Sequence, residues 1–237
     1  MVDINTTKVT LQYEEENYEQ KCLCVLVLDT SGSMNVNGAI KELNDGLIAF
    51  KDETMQDPVT RDRLELAIVT FNSRIDVVQQ PDILYNINMP TLQASGQTQL
   101  VAAIEKALDL VDSRKQYYKS QGIPYYRPWI VVMTDGDPYP IDQDVDGIAA
   151  QIKSDVVEKK YVFFIIGIGN DVHDSVLTTL STIEFPAVRM DAVKFSEFFT
   201  WLSASASVVV NDNGGSSQAA APTIDWAKGF VIPTDTD

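Results

Sequence analysis

Four short, nearly unbroken apolar runs limit what this chain can fold into: residues 21–29 (KCLCVLVLD), 64–71 (LELAIVTF), 129–134 (WIVVMT) and 162–168 (VFFIIGI). A strand with one wet face alternates apolar and polar residues. A run without that alternation belongs to a strand covered on both faces, as in a parallel sheet clad by helices. The intervening segments supply the helices. Ile40, Leu43, Leu47 and Phe50 recur every three or four residues, as do Leu100, Ala103, Ile104, Ala107, Leu108 and Val111, and then Val145, Ile148, Ala149, Ile152 and Val156. Residues 176–180 predict a shorter helix and 187–190 a short strand. A last helix carries Phe195, Phe198, Phe199 and Leu202. Residues 75–78 follow the turn-prone Asn72-Ser73, which predicts a hairpin and an antiparallel edge strand. Residues 80–97, broken by Pro81, Pro90 and Gly96, read as a loop. The expected class is α/β: a doubly wound, mostly parallel six-stranded sheet with one antiparallel edge strand and helices on both faces, in three Rossmann-like layers.

The length, 237 residues, suits one domain over residues 1–210, with its core at about 20–205. Residues 211–222 (NDNGGSSQAAAP) have a flexible linker's composition, and Trp226, Phe230 and Val231 in the tail beyond are candidates to dock back. The formal charge of −16 works against binding nucleic acid or an anionic membrane, both of which need basic patches. Cys22 and Cys24, the only cysteines, are two apart in a strand and so share one face, where they read as buried free thiols. No basic segment followed by an apolar core opens the sequence, and no apolar stretch reaches the ~18–20 residues of a membrane span. A cytoplasmic location is the expectation.

In open parallel sheets, ligands bind on the loops beyond the carboxyl ends of the strands. Three loops there carry oxygen donors: Asp29-Thr30-Ser31-Gly32-Ser33, Ser95-Gly96-Gln97-Thr98 and Thr134-Asp135-Gly136. Asp29, Ser31, Ser33, Thr98 and Asp135 would give two carboxylates and three hydroxyls. Hard cations take oxygen, and Mg²⁺ takes six ligands in a near-octahedron, whereas a single histidine offers little to zinc. Each piece has a plainer reading by itself. Ser33 and Thr98 are good helix N-caps, and Asp135-Gly136 makes a turn. Their convergence on one sheet edge favours the metal.

The segments DTSGSM, ASGQT and MTDG resemble, in order and spacing, the metal-ion-dependent adhesion site of von Willebrand factor A (vWA) domains. That resemblance, spanning about residues 20–205, implies the three-layer fold above. It also implies that Ser31, Ser33 and Thr98 touch a divalent metal through their hydroxyls, while Asp29 and Asp135 act directly or through water. Mg²⁺ is implied, with Mn²⁺ and Ca²⁺ as alternatives, and one coordination position is left for a partner protein's Asp or Glu. PTLQASGQT and YYRPWIVVMTDGDP further resemble the intracellular bacterial branch of TerY- and YegL-like proteins. This branch is associated with tellurium-resistance clusters, stress and, in some members, kinase and phosphatase partners.

Other features carry less. Asp135, Asp137, Asp142, Asp144 and Asp146 lack the Ca²⁺-loop spacing and suit a helix N-terminus. The aromatics Tyr117, Tyr118, Tyr125, Tyr126 and Trp129 fit a partner surface or local packing equally well. Gly167-Ile168-Gly169 lacks a dinucleotide fingerprint and reads as a close-packed strand end, and His173 has no nucleophile elbow to serve. The expected function is a non-enzymatic, Mg²⁺-dependent adaptor. The alternatives are a metal-dependent phosphoester-processing enzyme, or the client-recruiting subunit of an ATPase complex.

Overall fold

The computed structural model describes residues 19–169, 171–190 and 195–211. Its six strands are β1 (Cys22–Asp29), β2 (Leu64–Phe71), β3 (Ile75–Ile83), β4 (Trp129–Thr134), β5 (Val162–Ile168) and β6 (Val188–Met190), in the sheet order β3-β2-β1-β4-β5-β6. Only β3 runs antiparallel. The helices are α1 (Ala39–Thr54), α2 (Pro58–Arg63), α3 (Leu100–Gln121), α4 (Val145–Val157), α5 (Asp174–Leu180) and α6 (Phe195–Asn211). Every residue of β1, β2 and β4 is buried. That burial is why their sequences run apolar without a break.

Alternation along β1 divides the core in two. Cys22, Cys24, Leu26 and Leu28 face α1 and α6, where they meet Leu43, Leu47, Phe50, Phe198 and Phe199. Leu23, Val25 and Val27 face α3, α4 and α5, including Ile104, Ile152 and Leu177. Both cysteines are free and buried on the first face. Their thiols are pushed up, Cys22 to about 12, chiefly by burial, which leaves them inert.

Two local expectations need correction. The segment 80–97 does not begin as a loop, because β3 continues through Pro81 to Ile83. Gln80 and Pro81 together stand opposite Ala67, between the pairs Ile68–Gln79 and Leu66–Asp82. Such a bulge on an edge strand tolerates the missing N–H of proline. Helix α2 was not expected either. Its periodicity is too short to read, but Pro58 stands at its first turn and Asp57 caps it, accepting the Val59 N–H at 3.1 Å. Residues 212–237, with Trp226, Phe230 and Val231, lie outside the described residues.

The edge of the sheet where the parallel strands begin carries a buried ion pair. The Glu65 side chain is 2% exposed and takes a two-pronged contact from Arg114 at 2.7 and 2.8 Å. The Tyr118 hydroxyl donates to the same carboxylate at 2.6 Å. The Arg114 guanidinium also lies over the rings of Tyr117 and Tyr118, 4.5 and 5.3 Å from their centroids. Removing one partner strands a buried charge, whereas replacing the whole group with apolar residues does not. In urea titrations, Arg114→Met alone is expected to cost about 3 kcal/mol. The triple variant Glu65→Leu, Arg114→Met, Tyr118→Phe is expected to recover most of that loss. A triple variant as unstable as the single one would refute the account.

Candidate metal centre

The winding of the sheet reverses between β1 and β4, the crevice where open α/β sheets bind ligands. Both strands end there on acidic groups: β1 closes with Asp29, and Asp135 directly follows β4. Thr98 comes from the segment before α3. Backbone hydrogen bonds tie the loops together: Thr30 N donates to Phe71 O (2.8 Å), Ser95 N to Thr30 O (2.8 Å), Gly32 N to Gly96 O (3.0 Å) and Gln99 N to Asn72 O (3.1 Å). Gly96 makes this approach possible. Its φ is +79°, and a Cβ added there would stand 2.6 Å from Ser73 Oγ, a place for glycine only.

Asp29 is fully buried. Its Oδ1 accepts the Ser31 N–H at 2.7 Å and its Oδ2 accepts the Thr134 hydroxyl at 2.7 Å. Burial pushes its carboxyl up to about 6, against the lowering effect of the hydrogen bonds from Ser31 and Thr134; the nearby Asp135 charge raises it further. Asp135 is also above the ordinary carboxylate range, again chiefly through burial, with the Ser33 and Ser31 hydroxyls acting the other way. Around Asp135 Oδ1 the hydroxyls gather: Ser33 Oγ at 2.8 Å and Ser31 Oγ at 3.4 Å, with the two serine oxygens 2.9 Å apart. Thr98, nearly buried, joins from the side, since a Cβ on Gly136 would lie 3.7 Å from its hydroxyl.

The capping readings can now be set aside. The chain after Ser31 forms a 3₁₀ helix, Gly32–Gly38, and α1 starts beyond it, so Ser33 caps nothing. Gln99, not Thr98, holds the N-cap position of α3. Neither hydroxyl has a capping task, and that of Ser33 donates to Asp135.

The donor set fits a hard cation. An octahedron on bonds of ~2.0–2.1 Å has edges of ~2.9 Å, which two sides of the Ser31–Ser33–Asp135 triangle match at 2.8 and 2.9 Å, the third being longer at 3.4 Å. Among the described residues no group of three or more His, Cys, Asp or Glu side chains is arranged to hold a metal, so hydroxyls are essential to this cluster. Thr134 was placed by the sequence in an oxygen-bearing loop, but its role as the partner of Asp29 escaped because it looks like any strand residue. So did Tyr139 N and Gln143 Nε2, which both donate to the Thr98 carbonyl at 2.9 Å.

The remaining features fall to structural roles. Asp144 caps α4 by accepting the Gly147 N–H at 2.9 Å. Asp137 accepts the His173 backbone N–H at 2.7 Å and pairs with its ring. Gly167 is close-packed, with an added Cβ only 2.5 Å from Leu177 Cδ1. Tyr118 is buried and stacks on Tyr125 at 5.2 Å, and Trp129 meets Phe164 edge-on at 6.0 Å. Packing accounts for most of the aromatic cluster, with Tyr117 left half-exposed.

No curated protein matches the chain significantly in sequence. Solved structures share the fold. Proximal thread matrix protein 1 from the mussel byssus superposes with a TM-score of 0.54 at 18% identity, over 80% of this chain and 47% of that one. An ArnB paralog from Sulfolobus acidocaldarius gives 0.53 at 19%, over 77% and 45%. The vWF domain of a type V pili tip protein from Porphyromonas gingivalis gives 0.58 at 11%, over 81% and 97%. The chain thus spans about half the length of the first two. At these identities the likeness carries the fold alone. The sequence itself matches the von Willebrand factor type A domain over residues 24–200, well over half of its length, and the chain belongs to that family.

Proposed function

We propose that this vWA domain is a non-enzymatic, metal-dependent protein-interaction module that takes an Asp or Glu from its partner. The observation that carries it is the oxygen triangle of Ser31, Ser33 and Asp135. Thr98 flanks it, and Asp29 is held behind it by Ser31 and Thr134. Bound there, Mg²⁺ would supply unneutralised positive charge and one open position for the partner's carboxylate. Ser31, Ser33 and Thr98 would ligate it through neutral hydroxyls, so fewer negative charges touch the ion and its appetite for an anion persists. Asp29 contributes charge from behind and fixes Ser31 by its backbone. Mn²⁺ and Ca²⁺ are alternative occupants. The mussel protein has been solved with zinc in its adhesion-site motif, so zinc belongs in the same titration.

Several solved structures of this fold are pilus or matrix proteins by their descriptions, among them a pilus adhesin from Lactobacillus rhamnosus GG. This suits an interaction role. A finer placement, in a bacterial stress or tellurite-resistance system with kinase or phosphatase partners, is supported by the resemblance of PTLQASGQT and YYRPWIVVMTDGDP to TerY- and YegL-like proteins. A cytoplasmic setting is the companion of that placement. Two free buried thiols suit a reducing compartment. Among the described residues no helix is long and apolar enough to cross a membrane.

The direct test is capture from cell lysate on the immobilised chain, with Mg²⁺ and then with EDTA. The expected result is a partner released by EDTA and lost with Asp29→Ala; capture indifferent to chelation would sink the proposal. Calorimetric metal titration is expected to show Asp135→Ala and Asp29→Ala weakening binding about 100-fold and Thr98→Ala about 10-fold. Gly96→Ala, which alters no oxygen donor, should also weaken it by crowding Ser73. If that variant binds metal normally, the loop contact does not set the site. Protons compete with the cation. Without metal, the raised Asp29 carboxyl binds its proton more tightly folded than unfolded, so its contribution to stability is present in full below about pH 4 and is lost as pH rises through about 6. Thermal melts should therefore show a stability gain from added divalent metal that grows between pH 5 and pH 7, in steps of ~1.4 kcal/mol per pH unit at most. A gain independent of pH would show that the buried carboxylates do not bind it.

A further inference from the structure

The loop that delivers Asp135 runs on into a groove. Residues 137–141, with the first turn of α4 and one side of α5, line an open groove of about 580 Å³, in the range of sites that bury a ligand's side chains. Tyr139, Ile141, Val145 and Val176 supply its apolar lining, with Asp137 and Asp146 on its rim. Ile141 is 93% exposed and Tyr139 56%. Large apolar side chains grouped and wet in this way mark contact surfaces.

The charge around the groove is one-sided. From residue 128 to residue 152 the chain has no Lys or Arg. Asp137 already holds His173, but exposed Asp142 and Asp146 have no ion pair among the described residues. Groove and oxygen cluster are also one body: Tyr139 N and Gln143 Nε2 both bind the Thr98 carbonyl at 2.9 Å.

We propose that the groove receives a large apolar side chain of the partner, with an adjacent Lys or Arg answering Asp142 and Asp146, while the partner's acidic residue occupies the neighbouring oxygen site. This rests on the metal-dependent reading above. Asp135 and Tyr139 are four residues apart, at most ~15 Å along the chain, so an extended peptide spans the two sites with ~2–4 residues between acid and apolar anchor. The acidic rim disfavours the reversed placement, acid over the groove, by like-charge repulsion. The partner class is an exposed segment combining Asp or Glu, a bulky apolar residue and a base.

The probe is a pool of random peptides displayed on phage, panned on the immobilised full chain in Mg²⁺ and eluted with EDTA. The eluted peptides are expected to share an Asp or Glu, a Leu, Ile, Phe or Trp within about four residues, and a neighbouring Lys or Arg. Ser175→Trp fills the groove from α5 and leaves all five oxygen residues in place. It should keep the acid requirement, abolish the apolar one and weaken a selected peptide at least tenfold; Val176→Ser provides a second, smaller perturbation with the same expected direction. Asp142→Lys with Asp146→Lys should exchange the basic preference for an acidic one. Peptides carrying the acid but no apolar or basic companion, and bound equally by the Ser175→Trp chain, would overturn the groove and leave the metal reading intact. A pool from which EDTA releases nothing overturns the metal reading and this inference with it.

Discussion

A carboxylate without exposed surface must be stabilised by its neighbours, and Asp29 is met by donors rather than by a cation. The Ser31 N–H and the Thr134 hydroxyl each take one of its oxygens. They offset only part of the burial cost, which is why its proton affinity stays high. Everything at this edge of the sheet follows from that incomplete compensation. Asp29 ends the central strand, so its position is fixed by its pairing with Phe71 of β2 and by the β4 ladder that ends one residue earlier, at Leu28. Ser31 is oriented because its own backbone is spent on Asp29. The remaining oxygens are thereby aimed outward, toward Asp135. A divalent cation would complete a charge balance that the folded chain leaves open.

The opposite edge handles a buried acid differently. Glu65 has Arg114 in two-pronged contact and the Tyr118 hydroxyl as a third donor, so its charge is answered within the chain. Burial and the Glu65 charge together raise the Tyr118 hydroxyl and keep it a donor. The two acids stand on neighbouring strands, and the contrast separates a carboxylate answered by a cation within the chain from one answered by neutral donors alone. Burial alone does not distinguish them; the chemistry of their neighbours does.

How much of this was legible in the sequence depended on whether the signal was local. Unbroken apolar runs revealed the central strands because burial on both faces removes alternation, and DTSGSM, ASGQT and MTDG pointed to the loops that the fold brings together because turns need particular residues at particular places. Pro81 misled, since a breaker inside a bulged edge strand looks the same as one inside a loop. The roles of Thr134 and Gln143 were invisible because they lie in contacts between segments far apart in sequence. Serine and threonine were ambiguous as caps until Gly38 and Gln99 were seen to hold the N-cap positions of α1 and α3, which left the hydroxyls of Ser33 and Thr98 without a capping task.

The coupling of site and groove through Thr98 has a consequence for selectivity. The Thr98 carbonyl holds Tyr139 and Gln143, and Gln143 in turn accepts the Val101 N–H at 2.9 Å in the first turn of α3. A side chain seated against Tyr139 therefore presses on the loop that presents the Thr98 hydroxyl. Lengthening both hydrogen bonds together would leave the Thr98 carbonyl without a donor, at a cost of ~1–3 kcal/mol where it is buried. Occupancy of the groove and coordination at the oxygen cluster should then favour each other, since each holds the same carbonyl in place. A partner offering an acid without the apolar anchor would gain the metal contact but forgo this reinforcement. Recognition by such a surface depends on two modest features presented at one spacing, and a lone exposed carboxylate, common on any protein, would be discriminated against.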